Sequence, residues 1–256
     1  MVKTASKAAK KAAAKKPARP VAKKPVVVKK AAPAPAKKKA PAAPGGDRQR
    51  FTLYGSMTSG PTYTVGLMLA LCRHPFSYIH VNLREGQHKQ PDYIVKNRYG
   101  QVPTLRDGQT FVVQSAAVLE HLADSLKKFD GKTAFERQRV REWLFWNWDK
   151  LALPVFRLRA RARGFRQFGD EVRMMYDTEA KAALAVLEHE LVKSEWIVGK
   201  RVTIADIGIY AVTRYTAEAG IDLNPYPHVV AWKKRFEALA GFGTPEQILP
   251  MESRLL

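Results

Sequence analysis

The stretch GQVPTLRDGQTFVVQS, residues 100–115, decides the fold. Pro103 favours an extended backbone at the preceding Val102 and itself lacks an N–H donor. Asp107-Gly108 is a pair typical of a tight hairpin turn. The two segments that flank this turn are therefore predicted to pair as antiparallel strands: Thr104-Leu105 and Phe111–Val113.

A helix is predicted to follow this hairpin directly, beginning at Gln114 or Ser115. The apolar residues after this start recur at helical spacing: Val118, Leu119 and Leu122. The backbone N–H and C=O of Val102 could bind an extended peptide, and the first helical turn could bind a carboxylate. Taken alone, the stretch is better interpreted as an ordinary loop followed by a capped helix.

Flanking segments favour the ligand-binding interpretation. They are Leu53-Tyr54-Gly55, Ser59-Gly60-Pro61, Gly86-Gln87-His88-Lys89, Pro91 and Asn97. Together with residues 100–115 they resemble the thioredoxin-like N-terminal domain of the glutathione S-transferases, most closely the serine-dependent phi and theta classes. A later segment, 198–206, resembles the capping-box segment of that family's all-helical C-terminal domain. The resemblance extends over residues 51–240.

This resemblance implies an α/β thioredoxin-like N-terminal domain, residues 49–126, and an all-α C-terminal domain, residues 133–256. The predicted element order of the first domain, β-α-β-α-β-β-α, is α/β in class. No strand pattern follows the linker at 128–132. Residues 135–162 are predicted to form one long helix or a pair kinked at Pro154, and the helix 170–193 is predicted to bury Met174. The segment from Thr203 to Ala219 is apolar nearly all round and is predicted to form the buried central helix.

Residues 1–48 differ from the rest in composition. Residues 1–46 hold 14 of the 44 Lys and Arg, seven prolines and no Asp or Glu. Such a segment cannot bury enough apolar surface to fold, so we predict a disordered basic tail that resembles those of linker histones. It either attracts nucleic acid nonspecifically through counterion release or only increases solubility.

Composition excludes several classes of protein. The single cysteine, Cys72, permits no internal disulfide and lies in an apolar helical pattern, so it is expected in the core. No apolar run is long enough for a membrane span, and neither a secretory signal nor a transit peptide is evident. No spacing of His and Cys indicates a metal site. We expect a cytoplasmic protein without a membrane contact.

Ser59 is the candidate catalytic residue. The resemblance aligns it with the serine that stabilises the glutathione thiolate, and its place before Gly60-Pro61 adds a helix N-terminus. The alternative is that Ser59 only caps the helix, with Ser56 or Thr58 as the hydroxyl that meets the sulfur.

The resemblance also implies which residues bind glutathione. His88 and Lys89 would meet its glycine carboxylate, and Gln101 would donate nearby. The cysteinyl unit would pair with the backbone of Val102, with Pro103 in the cis form. Gln114 and Ser115 would hold the γ-glutamyl end.

Side chains of the second domain would form the electrophile pocket of such a protein: Trp143, Trp146, Trp148, Phe156, Arg159 and Arg163. Aromatic residues at helical spacing more often belong to a core, so we expect some of these side chains in the pocket wall and some in the core. The arginines within 157–166 indicate a phosphate-binding face, a solvated helix face or a rim that attracts anions.

The resemblance implies a homodimeric glutathione transferase. It would use glutathione as co-substrate, without a metal, and conjugate it to a hydrophobic electrophile. The alternative is a non-catalytic binding module of the same fold, tethered to nucleic acid by residues 1–46.

Overall fold

The computed structural model describes residues 49–250. The predictions of a disordered tail and of nucleic-acid attraction fall on residues 1–46 and lie outside this range. The strands are β1 (Phe51–Gly55), β2 (Phe76–His80), β3 (Thr104–Asp107) and β4 (Thr110–Val113). The helices of the first half are α1 (Gly60–Leu71), α2 (Pro91–Ile94) and α3 (Ser115–Leu126), with a 3₁₀ turn at Gln87–Lys89.

All elements after residue 126 in the described range are helical, as predicted. They are α4 (Ala134–Trp146), a π-helical segment (Asn147–Ala152), α5 (Leu153–Ala162), α6 (Asp170–Lys193), α7 (Ile204–Thr213), a 3₁₀ turn (Ala217–Ala219), α8 (Pro227–Glu237) and α9 (Pro245–Ile248). The predicted fold class, a thioredoxin-like α/β domain followed by an all-α domain, is confirmed. None of the helices in residues 49–250 is long and apolar enough to cross a bilayer.

The four strands form one mixed sheet in the order β2-β1-β3-β4. β1 runs parallel to β2 and antiparallel to β3, and β3 pairs with β4 through the predicted hairpin. Leu53 pairs with Leu105 across the centre of the sheet, and neither side chain is exposed. Helices α1 and α3 pack beside each other, and both contact α7 of the helical part. One hydrophobic cluster therefore joins the sheet domain to the helices.

Helix α7 is the central helix of the core, as its apolar sequence predicts, and all ten of its residues are buried. The predicted capping box at its start is present. The carboxylate of Asp206 accepts hydrogen bonds from the backbone N–H and hydroxyl of Thr203, the backbone N–H of Ile197 and the indole N–H of Trp232, all at 2.8–3.0 Å. Asp206 is fully buried, and these donors replace the water that it loses.

Three predictions about the helices are corrected. The segment 135–162 is neither one α-helix nor a simple kink, because a π-helical turn at 147–152 precedes Pro154, which has no N–H for the regular helical bond. Met174 is 57% exposed and is not a core residue. The helix predicted to reach Ala219 ends at Thr213, where the Thr216 hydroxyl donates to the Thr213 carbonyl and turns the chain.

We predict that Asp206→Ala lowers the free energy of unfolding by about 3–5 kcal/mol, because it leaves several buried donors without an acceptor. Urea denaturation followed by circular dichroism measures this loss. The matched control is the exposed Glu179→Ala, which should change the stability by less than about 0.5 kcal/mol. Equal, small losses for the two variants would contradict the role assigned to Asp206.

Candidate functional site

The loop between β1 and α1, residues 56–59, presents a group of hydroxyls. Ser59 is the N-cap of α1, and its Oγ accepts from the backbone N–H of Thr62 at 3.3 Å. An N-cap uses only a lone pair of the hydroxyl, so the hydrogen of Ser59 is left to donate elsewhere. The hydroxyls of Ser56 and Thr58 lie 3.1 Å apart and bond to each other. One of these two hydroxyls donates to the other, so one hydrogen of the pair, like that of Ser59, is left to donate elsewhere.

A buried arginine from α5 fixes this loop to the helical part. One terminal nitrogen of Arg159 donates to the carbonyl of Thr58 at 2.8 Å, and its Nε donates to Glu218 at 2.9 Å. Its guanidinium lies 3.8 Å from the centre of the Tyr215 ring. The neighbouring Phe156 packs so closely on Gly60 that a Cβ there would come within 2.5 Å of its ring.

The backbone between Asn97 and Thr104 is fixed by hydrogen bonds from the side chains of Asn97 and Tyr93. The Val102–Pro103 peptide bond is cis, as predicted. The side-chain amide of Asn97, which is buried, donates to the Gln101 carbonyl at 2.7 Å and to the Thr104 hydroxyl at 3.1 Å. The Tyr93 hydroxyl donates to the same Gln101 carbonyl at 2.8 Å.

The start of α3 has an unusual backbone. Gln114 precedes the helix with φ 70° and ψ 115°, a conformation that residues other than glycine seldom adopt. Ser115 begins the helix and is 3% exposed, yet its Oγ has no hydrogen-bond partner among residues 49–250. A buried hydroxyl without a partner indicates a position where a ligand can complete the bonding.

His88 and Lys89 lie on the 3₁₀ turn that precedes α2. The Nδ1 atom of His88 is buried and, within the described part of the chain, has no hydrogen-bond partner. Partial burial, together with the nearby Lys89 ammonium, lowers the pKa of His88, so its imidazole is neutral at pH 7. His88 thus offers a neutral ring nitrogen, while Lys89 brings the positive charge.

A first cavity, of about 420 Å³, brings these segments together. Seven residues predicted from the sequence to bind one ligand all line it: His88, Lys89, Gln101, Val102, Pro103, Gln114 and Ser115. Its remaining walls are Pro61, Leu83, Asn97, Gly100 and Trp148. The two unpartnered buried atoms described above belong to this cavity.

Ser59 lines a second cavity, of about 840 Å³, which adjoins the first. The two share Pro61, Leu83 and His88 as walls. Ser59, Pro103 and Ser115 therefore do not line a single cavity. Ser59 is two residues from Pro61, one of the walls that the two cavities share.

The aromatic residues of α4 and the π-helical segment do not form one wall. Phe156, Arg159 and Arg163 line the second cavity, but Trp148 lines the first. Trp143 and Trp146 line a separate groove between α4 and α6 that shares no wall with either cavity, and Trp143 is also a core residue at 6% exposed. The aromatic set therefore divides between cavity walls and core, as the sequence led us to expect. No sequence signal except the nearby Pro154 indicates the π-helical turn between α4 and α5.

Comparison with known proteins gives the family. The family model of the glutathione S-transferase N-terminal domain matches residues 49–124, and that of the C-terminal domain matches residues 152–240. A protein of Oryza sativa subsp. japonica named "Probable glutathione S-transferase" is 30% identical over 193 residues, which cover 70% of this chain and 88% of the relative. The chain belongs to the glutathione S-transferase family.

Other members of the family agree in sequence and in structure. The theta-1 glutathione S-transferase of Bos taurus is 29% identical over 210 residues, which cover 74% of this chain and 83% of the relative. The crystal structure of a glutathione S-transferase from Pseudomonas fluorescens superposes with a TM-score of 0.73 at 28% identity, covering 77% of this chain and 98% of the other.

The segments matched by the two family models contribute differently to the walls of the two cavities. All walls of the first cavity except Trp148 lie within the segment matched by the N-terminal transferase model. Trp148 lies between the matched segments. The second cavity is formed by both segments, since residues of the hydroxyl loop face Phe156 and its neighbours on α5.

We predict that Gln114→Gly raises the free energy of unfolding by about 1 kcal/mol. Glycine removes the strain at positive φ, which is about 1–3 kcal/mol. This gain exceeds the backbone entropy that glycine loses on folding, which costs about 0.5–1 kcal/mol. Gln109→Gly in the exposed hairpin turn, where φ is not positive, is the control and should not stabilise the protein. Urea denaturation of both variants measures the difference, and a loss of stability in Gln114→Gly would contradict the strain.

Proposed function

We propose that this protein is an enzyme that uses glutathione as co-substrate and transfers its thiolate to an electrophile. One observation supports this most strongly. Seven residues predicted from the family resemblance to bind one tripeptide line a single cavity, and the hydroxyl loop lines a larger cavity that shares three walls with it.

The first cavity offers complementary groups to both ends of glutathione. Lys89, with the ring nitrogen of His88, would bind the glycine carboxylate through charge-assisted hydrogen bonds. At the other end, the Ser115 hydroxyl and the free N–H groups of the first turn of α3 would bind the γ-glutamyl carboxylate. The Gln114 amide lies beside the same end. The backbone of Val102 would pair with the cysteinyl unit as a strand does.

Ser59 would stabilise the thiolate. A free thiol has a pKa of about 8.5, and lowering it by two units requires about 2.7 kcal/mol in favour of the anion. A hydroxyl that donates to a charged group contributes roughly 1.5–3 kcal/mol, and the N-terminus of α1 adds about 0.3–1 kcal/mol. Because Ser59 caps the helix as an acceptor, it can supply both contributions at once. Ser56 and Thr58 are the alternative donors.

The reaction that follows is a nucleophilic substitution or addition. The thiol proton leaves to solvent, and the sulfur lone pair forms a new bond to the electrophilic carbon. With an aryl halide, the carbon–halogen bond then breaks and halide departs. Holding both reactants in adjoining cavities makes the encounter effectively intramolecular.

The proposal has further parts that follow from the family. We expect a glutathione-binding domain over residues 49–126, a helical domain over 133–256 and a homodimer of the chain. A non-catalytic module of the same fold is the competing function. It would bind glutathione or a similar peptide without accelerating conjugation.

We predict that Ser115→Ala weakens glutathione binding about tenfold, the effect of losing one hydrogen bond to a charged group. The unfolding free energy should hardly change, because the Ser115 hydroxyl has no partner within the described protein. Isothermal titration calorimetry gives the dissociation constant. Ser125→Ala, on the same helix but away from the cavity, is the control and should bind as wild type does. Equal affinities would remove Ser115 from the site.

We predict that Ser59→Ala raises the pKa of bound glutathione by about 1–2 units, because the sulfur loses its hydroxyl donor. The thiolate absorbance of the complex, titrated against pH, measures this pKa. Conjugation of an aryl halide at neutral pH should fall about 10- to 100-fold in kcat. Ser56→Ala and Thr58→Ala serve as comparisons. A loss of thiolate in one of these and not in Ser59→Ala would reassign the catalytic hydroxyl.

A further inference from the structure

The walls of the second cavity have an unbalanced charge. Four arginines line it, Arg84, Arg159, Arg163 and Arg166, and none of its lining residues is Asp or Glu. Apolar walls accompany them: Met57, Pro61, Leu83, Phe156, Ala160 and Phe165. Binding of a purely hydrophobic electrophile would not require positively charged walls.

Two of the arginines are already engaged. Arg159 binds Glu218 at 2.9 Å and the Thr58 carbonyl at 2.8 Å, so it is part of the framework. Arg163 approaches the same Glu218 at 3.4 Å. One carboxylate is therefore shared between two guanidinium groups.

Arg84 and Arg166 have no carboxylate partner among residues 49–250. Both are exposed at the mouth of the cavity. Glu85, the acidic residue next to Arg84, does not line the cavity, and its carboxylate accepts from the Gln87 amide at 3.4 Å. An excess of positive charge therefore remains at the mouth.

An aromatic ring lies within this charged group. Phe165 is 51% exposed, and its ring centre lies 5.4 Å from the guanidinium carbon of Arg84 and 5.7 Å from that of Arg163. Arg84 comes from the loop after β2, whereas Phe165 and Arg163 follow α5. The ring and the two cations thus connect the two sides of the mouth.

We propose that the electrophile taken by the second cavity is an aromatic compound that carries an acidic group. Phe156 and Phe165 supply apolar surface for the ring, and Arg84 and Arg166 supply planar donors that match a carboxylate, sulfonate or phosphate. The inference rests on the proposed transferase function, because it names the second substrate of the same reaction. Arg84 and Arg166 are specificity-determining residues in this account, not catalytic ones.

The experiment compares two matched acceptors, a chloronitrobenzoate and its neutral carboxamide, with glutathione in excess. Each enzymatic kcat/KM is divided by the uncatalysed rate constant of the same acceptor, which removes their difference in intrinsic reactivity. We expect wild type to prefer the benzoate about tenfold, the factor of one charge-assisted hydrogen bond. The preference should decline as salt is raised, since the cations are exposed.

The double variant Arg84→Gln/Arg166→Gln should lose this preference, so that the ratio of its two normalised kcat/KM values approaches one. The control Lys200→Gln/Lys234→Gln removes the same charge from exposed positions outside the cavity and should keep the preference. Equal use of both acceptors by wild type would overturn this inference but not the proposed function. Loss of the preference in the lysine control variant as well would have the same consequence. Failure to conjugate either acceptor would contradict the proposed function, and the inference with it.

Discussion

The position of the hydroxyl loop depends on the buried guanidinium of Arg159. A buried charge is costly unless each of its donors is used, and this one is used on three sides. It bonds to the Thr58 carbonyl and to Glu218, and its face lies on the Tyr215 ring. Burial raises the pKa of Tyr215 to about 12, so its ring is a neutral surface for the cation. Through this one residue the loop of the sheet domain is held against α5 and the segment after α7, and both Arg159 and Thr58 line the second cavity.

A second constraint holds the other half of the site. Asn97 and Tyr93 both donate to the Gln101 carbonyl, and the next residue, Val102, lines the first cavity. Because these bonds fix the backbone, the protein does not have to reorganise this segment when a peptide binds. The strained φ of Gln114 places the start of α3 beside the same cavity. Strain of this kind persists only where the surrounding structure enforces it.

The parts of the fold with local signals could be predicted from the sequence. Asp107-Gly108 predicted the hairpin, and Thr203 with Asp206 predicted the start of the central helix. The cis bond before Pro103 was predicted from the family resemblance. Burial of Cys72 was also correct, and desolvation raises the pKa of its thiol to about 11, as suits a core residue. Features that depend on distant contacts could not be predicted. Trp148, within the π-helical segment, lines the first cavity, and Arg159 is buried among partners distant in sequence: Thr58, Tyr215 and Glu218.

The central claim is that the first cavity holds an extended tripeptide by both of its charged ends. Calorimetric titration of the full chain with glutathione, with its glycine amide and with cysteinylglycine tests it most directly. The account predicts that glutathione binds, and that loss of either end weakens binding about tenfold or more, since each removes a charge-assisted contact. Equal affinities for the three peptides, or no binding of glutathione, would contradict it.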